Sequence, residues 1–243
     1  MTEVLALELT ERDHKVRARK NLTYLLLFAI VMFFVALSSA YIVSKSSTDY
    51  WLSFRVPTAF YYSTATIVVS SLTVQMALMT VRKGNGRGAV LWMAITFMLG
   101  IAFSFSQFSG WSELASRKMS LVTDKITMTQ GVYGTDYTIA RKGITLEQVD
   151  GQFYLPDDLA HAKPLNAEME DFWNASSGYF IVLTVGHWIH LLGGLIMLLV
   201  LSIKALLGKY NAAYHTGVWQ GTIYWHFLGG LWIYLLLFIA SVH

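Results

Sequence analysis

Five stretches of the chain contain no Asp, Glu, Lys or Arg: 22–43, 60–81, 89–111, 175–203 and 217–242. Each is long enough for a helix to cross a hydrocarbon core, which takes about 20 residues at roughly 1.5 Å rise per residue. A chain in lipid must satisfy its own backbone N–H and C=O groups, and an α-helix does so within one segment. Barrel strands would instead show segments of about ten residues with strict alternation, and that pattern is missing. The reading is an all-α integral membrane protein: a bundle of five transmembrane helices forming a single membrane domain over residues 1–243.

The polar flanks predict an orientation. His14, Lys15, Arg17, Arg19 and Lys20 cluster just before the first span, which places the N-terminus inside by the positive-inside tendency. The first span is too long for a signal-peptide core, so it reads as retained. The 44–59 connection has Lys45 and Arg55 as its bases, whereas the tight turn Arg82-Lys83-Gly84-Asn85-Gly86-Arg87-Gly88 holds three in a much shorter stretch. Lys204 and Lys209 flank the last inner turn, and the C-terminus at His243 falls outside. Between the third and fourth spans lies an extended outer polar segment, 112–174, with ten acidic and six basic residues. Its stretch 132–155, with Tyr133, Tyr137, Ile139, Val149 and Phe153 among Gly and Asp, predicts a small hairpin or two. A connection this long is usually functional or a docking element.

Composition agrees with lipid as the solvent. Of 243 residues 55% are hydrophobic and 14% charged, where a soluble domain carries about a quarter charged. The formal charge of +3 and the pI near 9.0 reflect topology, and no basic face points to nucleic acid. Cysteine is absent, which excludes disulfides, Cys-ligated iron–sulfur clusters, covalently attached c-type haem and thiolate copper sites.

Proton pumps and ion-coupled transporters usually keep ionisable groups inside the bundle. The spans here have no carboxylate, lysine or arginine, and their polar groups include histidines, Gln107 and scattered Ser and Thr. His187 and His190 are three apart on the fourth span and His226 is on the fifth. Two readings stand. The histidines are neutral packing groups bonded to neighbouring helices or to a partner subunit, or His226 with His187 or His190 ligates a b-type haem in a small membrane cytochrome. Gly186 and Gly193 bracket His190, and Gly229 and Gly230 follow His226, which predicts close helix contact at those glycines. Gly100, Ser104, Gln107 and Trp111 share one helix face, for packing or polar contact. Tyr50, Trp51, Tyr61, Trp111, Trp173 and Tyr179 read as aromatic anchors at the membrane–water boundary. No nucleophile–base pair, phosphate loop or paired carboxylates are present, so no catalytic residue is assigned.

The fourth span reads Leu183-Thr184-Val185-Gly186-His187-Trp188-Ile189-His190-Leu191-Leu192-Gly193. It resembles the Thr-Gly-x-His-Gly-x-His-x-x-x-Gly helix of cytochrome c oxidase subunit III and its quinol oxidase relatives. The fifth, with Tyr224-Trp225-His226-Phe227 and then Trp232, resembles that family's closing helix. Softer likenesses lie at Met32-Phe33-Phe34 and Ser39-Ala40-Tyr41, at Ser63-Thr64, and at Gly100, Phe103, Gln107 and Trp111. The five spans are similar to the shorter bacterial form, which lacks the first two helices of the seven-helix form.

The resemblance implies a non-redox accessory subunit of a proton-pumping haem-copper terminal oxidase in the bacterial cytoplasmic (inner) membrane. It implies oxidase subunits I and II as partners, with haems and copper held by those partners and none in this chain. Bound phospholipid and a role in proton uptake and turnover stability follow by the same route. The residues it singles out, as packing, lipid or partner contacts, are Gln107, His187, His190, Gly193, Trp225, His226, Phe227 and Trp232. The segment 112–174 is longer than the resemblance leads one to expect, which points to a docking surface, with a respiratory supercomplex as one destination. Three family acids are missing: their positions correspond to Ile30, Trp219 and Gly229, so roles given to those carboxylates do not carry over.

Overall fold

A computed structural model describes residues 2–119 and 125–242; the side chains of residues 2–9 and 12 lie outside the description. Five helices carry the apolar spans: α1 (Thr2–Ser47), α2 (Thr58–Arg82), α3 (Gly88–Ser116), α5 (Ala175–Leu206) and α6 (Thr216–Val242), with a single-turn helix α4 (Asn166–Met169) before α5. All five are long and apolar enough to cross a membrane, so the chain is an all-α membrane protein with small extramembrane strands.

The helix starts and stops follow local chemistry. Helix α1 begins some twenty residues before the apolar run, because residues 2–47 contain neither Gly nor Pro to interrupt it. Its polar part carries an i,i+4 pair, Glu11 to Lys15 at 3.5 Å. Helix α2 starts immediately after Pro57. The Asn85 side chain accepts the Gly88 N–H at 2.7 Å at the start of α3, and Asn174 accepts the Ser177 N–H at 3.2 Å at the start of α5. Both satisfy donors that a helix N-terminus leaves open.

The helices divide lengthwise between two compact units. The first comprises Met1–Val35, Ala65–Ala102 and Ile189–Leu231; the second comprises Ala36–Thr64, Phe103–Trp188 and Trp232–His243. In the first unit a core of Ala77, Leu78, Val81, Ala89, Met93, Leu201, Ala205 and Val218 packs beside the α2–α3 and α5–α6 turns.

The second unit holds the small strands. Strand β1 (Tyr50–Phe54), in the α1–α2 connection, pairs antiparallel with β2 (Tyr137–Arg141), which pairs with β3 (Ile144–Thr145). Strands β4 (Glu147–Val149) and β5 (Gln152–Tyr154) form a separate hairpin. Both hairpins turn on two residues with positive φ, Lys142-Gly143 (47° and 85°) and Asp150-Gly151 (52° and 78°). Such turns match the twist of the flanking strands. Thus 132–155 does hold hairpins, as the sequence predicts. The strand in 44–59 is not predicted, and it changes the reading of two anchors. Tyr50 and Trp51 lie buried within β1, the tryptophan against Tyr41 at 5.2 Å between ring centroids. The cause is the pairing with β2, a partner more than eighty residues away in sequence.

Candidate functional site

The residues singled out from sequence fall into two constellations, one in each unit. In the second unit His187 is fully buried. Its ring lies 5.3 Å from Trp232 and 5.8 Å from Phe103, with Phe103 edge-on to Trp232 at 5.2 Å. Phe60 stands 5.8 Å from Trp232 and 5.5 Å from Phe180. The indole N–H of Trp232 donates to Thr64 Oγ1 at 2.9 Å. Gln107, also fully buried, donates Nε2 to Ser63 Oγ at 2.9 Å. Trp111 donates to Thr184 Oγ1 at 3.0 Å, so it ties α3 to α5 as well as marking a helix end. Edge-to-face and tilted ring pairs, together with the bonded Trp232 N–H, form a directional core.

In the first unit Trp225 is fully buried and donates to Ser70 Oγ at 2.9 Å. It is seated by missing side chains. A Cβ at Gly100 would lie 2.8 Å from Trp225 Cη2, and one at Gly194 would lie 3.3 Å from Trp225 Cε3. Thr73 and Thr96 bond to each other at 2.8 Å, joining α2 and α3 in the same unit. His226 faces Gln75 Oε1 at 3.2 Å. His190 lies 5.7 Å from the Phe34 ring and 6.2 Å from Phe33, and its carbonyl accepts the Tyr224 hydroxyl at 2.9 Å. Phe227 is half-buried.

The sequence reading of the glycines needs correction. A Cβ at Gly193 would meet only Tyr224 Oη, at 3.8 Å, and one at Gly230 would meet nothing within 4 Å. Each is exposed. The close contacts lie at Gly194, the neighbour of Gly193, and at Gly229, where the sequence also predicts one; one residue turns a helix face by about 100°. At Gly229 a Cβ would stand 3.2 Å from Ser71 Oγ, and no room is left there for a carboxylate without a shift. Trp219 lies 6.0 Å from Tyr24 and 5.2 Å from Lys20 Nζ, and Ile30 is buried. The positions of all three missing acids are therefore filled by packing.

Gln75 and Gln220 escaped the sequence reading. Gln220 donates to Thr23 Oγ1 at 2.8 Å and to the Arg19 carbonyl at 3.1 Å. The signal was an amide within an apolar span, since such a group needs a partner there. Each of the three histidine rings has neighbours of its own: His187 in the second unit, and His190 and His226 in the first. Among the described residues no three His, Asp or Glu side chains are grouped to hold a metal ion.

In the connections, Tyr50 donates its hydroxyl to Glu168 Oε2 at 3.0 Å, and Arg141 pairs with the same oxygen at 2.7 Å. Burial first, and then the bonded carboxylate, push the Tyr50 phenol up to about 12. Trp173 is exposed, with Lys125 Nζ 5.9 Å from its ring.

Comparison with known proteins supports the sequence resemblance. No protein-family model matches the chain. A protein of Nocardia farcinica named probable cytochrome c oxidase subunit 3 is 24% identical over 247 residues, 96% of this chain and 94% of the relative. A Mycobacterium leprae protein of the same name is 24% identical over 98% of this chain and 96% of its own length. The cytochrome c oxidase subunit 3 of Thermostichus vulcanus is 39% identical over a shorter stretch, 28% of this chain and 35% of its own. With near-complete coverage of both chains and the paired histidine–tryptophan helices, the chain is similar along its whole length to proteins named cytochrome c oxidase subunit 3.

Proposed function

We propose that this chain is a non-redox accessory subunit of a proton-pumping haem-copper terminal oxidase in a bacterial cytoplasmic membrane. It packs on the catalytic subunit alongside the electron-entry subunit, binds phospholipid, and supports proton uptake and turnover stability. Its N-terminus and the α2–α3 and α5–α6 turns face the cytoplasm, and the strands face outward, where 112–174 offers a docking surface. The observation that carries this reading is the near full-length similarity to proteins named as subunit 3. Two features of the chain support it. The buried donors at Trp111, Trp225, Trp232 and Gln107 are taken up by hydroxyls of the chain itself. The apolar spans also lack ionisable acids and thiols, so the bundle can brace a redox machine but has little of its own with which to run one.

The test is co-purification. An affinity-tagged chain extracted in mild detergent from its own membrane should bring down subunits bearing haem and copper, with oxygen-reducing activity. Recovery without any haem- or copper-bearing partner would overturn the proposal.

A further inference from the structure

A cavity of about 480 Å³ in the first unit is lined by the charged part of α1, the end of α2 and the α5–α6 turn. Those three elements supply four cations to it, Arg19, Lys20, Arg82 and Lys209. Among the described residues no carboxylate stands within 4 Å of any of the four; Lys15, also in the lining, pairs with Glu11, and Asp13 is the one acid there. A cleft lined by one sign of charge focuses its potential, and guanidinium groups hold phosphate oxygens through paired N–H bonds. The volume is that of a small-molecule site.

The walls are held from several sides. Tyr210 fits because two glycines lack side chains: a Cβ at Gly86 would lie 2.5 Å from its carbonyl oxygen, and one at Gly217 would lie 2.8 Å from its hydroxyl. Burial raises the Tyr210 phenol above its ordinary value while the nearby Arg19 charge works the other way, which sets Arg19 of α1 beside the turn. Gln220 anchors the same stretch of α1, donating to the Arg19 carbonyl at 3.1 Å and to Thr23 Oγ1 at 2.8 Å. Lys20 Nζ stands 5.2 Å from the Trp219 ring. Helix α6 also begins in the lining, at Thr216, and the first N–H groups of a helix have no partners within it. Tyr214, in contrast to the wedged Tyr210, presents an exposed ring.

We propose that this cavity binds a nucleoside polyphosphate, its phosphates held among Arg19, Arg82 and Lys209 and its base against the Tyr214 ring. Two features select this class. The cations come from separate elements, so a chain of phosphates engages several of them where a single phosphate engages few. The exposed aromatic ring offers a stacking face that phosphates alone cannot use. From the proposed function the inference takes only the cytoplasmic orientation of these turns, the side on which such soluble anions are found.

The test uses the protein with whatever partners co-purify in mild detergent, and isothermal titration calorimetry follows binding of ATP, AMP and inorganic triphosphate. The expected result is one ATP site per chain, about tenfold or more tighter for ATP than for AMP, about fivefold tighter than for triphosphate, and weakened by added salt. The triple variant Arg19→Gln, Arg82→Gln, Lys209→Gln should lower ATP affinity by about tenfold or more. Tyr214→Ala should cost ATP about fivefold and leave triphosphate binding unchanged. Absence of ATP binding, indifference to either variant, or triphosphate bound as tightly as ATP would overturn the inference. So would displacement of ATP by equimolar dioleoyl phosphatidylglycerol, which would mark the cavity as a lipid headgroup site. The expected ATP binding by a chain recovered without haem-bearing partners would support the inference and count against the proposed function alone.

Discussion

Trp225 and Trp232 lie seven residues apart on α6, and each donates its indole N–H to a hydroxyl of α2 at 2.9 Å. They are nonetheless packed by opposite means. Trp225, in the first unit, is wedged where Gly100 and Gly194 have no side chains. Trp232, in the second, stands among the rings of Phe60, Phe103 and His187. In lipid the hydrophobic effect adds little between helices, so close backbone approach and directional contacts must supply the cohesion. A glycine wedge allows no added volume, whereas a ring cluster suffers mainly from lost volume.

The largest expected effect tests the wedge. Gly100→Leu would place a Cβ 2.8 Å from Trp225 Cη2 and 2.7 Å from Leu195 Cδ2, so it should cost about 3 kcal/mol and lower the unfolding midpoint in detergent. A near-neutral result would show that the ring can move and that the wedge is loose.

Removing volume from the ring cluster comes next. His187→Ala should cost about 1–3 kcal/mol, and His190→Ala, at a half-buried site, should cost less. Thermal unfolding and retention in the complex both read this difference. Any co-purified haem spectrum should survive either change; bleaching with the complex intact would assign the residue a redox role instead. Equal losses would break the distinction between the two histidines.

A smaller effect tests what the tryptophans share. Trp225→Phe and Trp232→Phe each lose one donor, at about 1 kcal/mol, and pairing them with Ser70→Ala and Thr64→Val should recover part of the loss in a double-mutant cycle. Strict additivity would show that the indole bonds contribute nothing.

The weakest effect lies in the connections. The Tyr50 phenol, raised in the folded state to about 12, favours folding fully below its ordinary value near 10, and that contribution is lost as pH rises through the folded value. Unfolding of β1–β2, followed by tyrosinate absorbance, should therefore steepen above roughly pH 10 in the parent and less so in Tyr50→Phe.

These regions also differ in how far the sequence reveals them. The five spans are legible because lipid demands long uncharged runs, and the described helices extend the predicted limits by few residues except in α1. There the charged residues 2–20 stay helical, since hydropathy reports the solvent and not the backbone conformation. Hairpins in 132–155 follow from Lys142-Gly143 and Asp150-Gly151, which are local signals. Strand β1 has no local signal because its partner is remote, so the sequence alone makes Tyr50 and Trp51 look like anchors. His187, Trp225 and Trp232 could be singled out by motif, but whether Gly193 or Gly194 touches a neighbour depends on helix rotation. Spacing alone does not fix that, and the amides Gln75 and Gln220 gained their meaning only when their partners were in view.

The central claim is that this polypeptide braces a redox complex and carries no redox centre itself. It is tested most directly by the visible absorption spectrum of the purified chain freed of its partners. The account predicts a featureless visible region, with all haem absorbance leaving with the partner subunits. A Soret band that stays with the isolated chain and disappears on His226→Ala would contradict it.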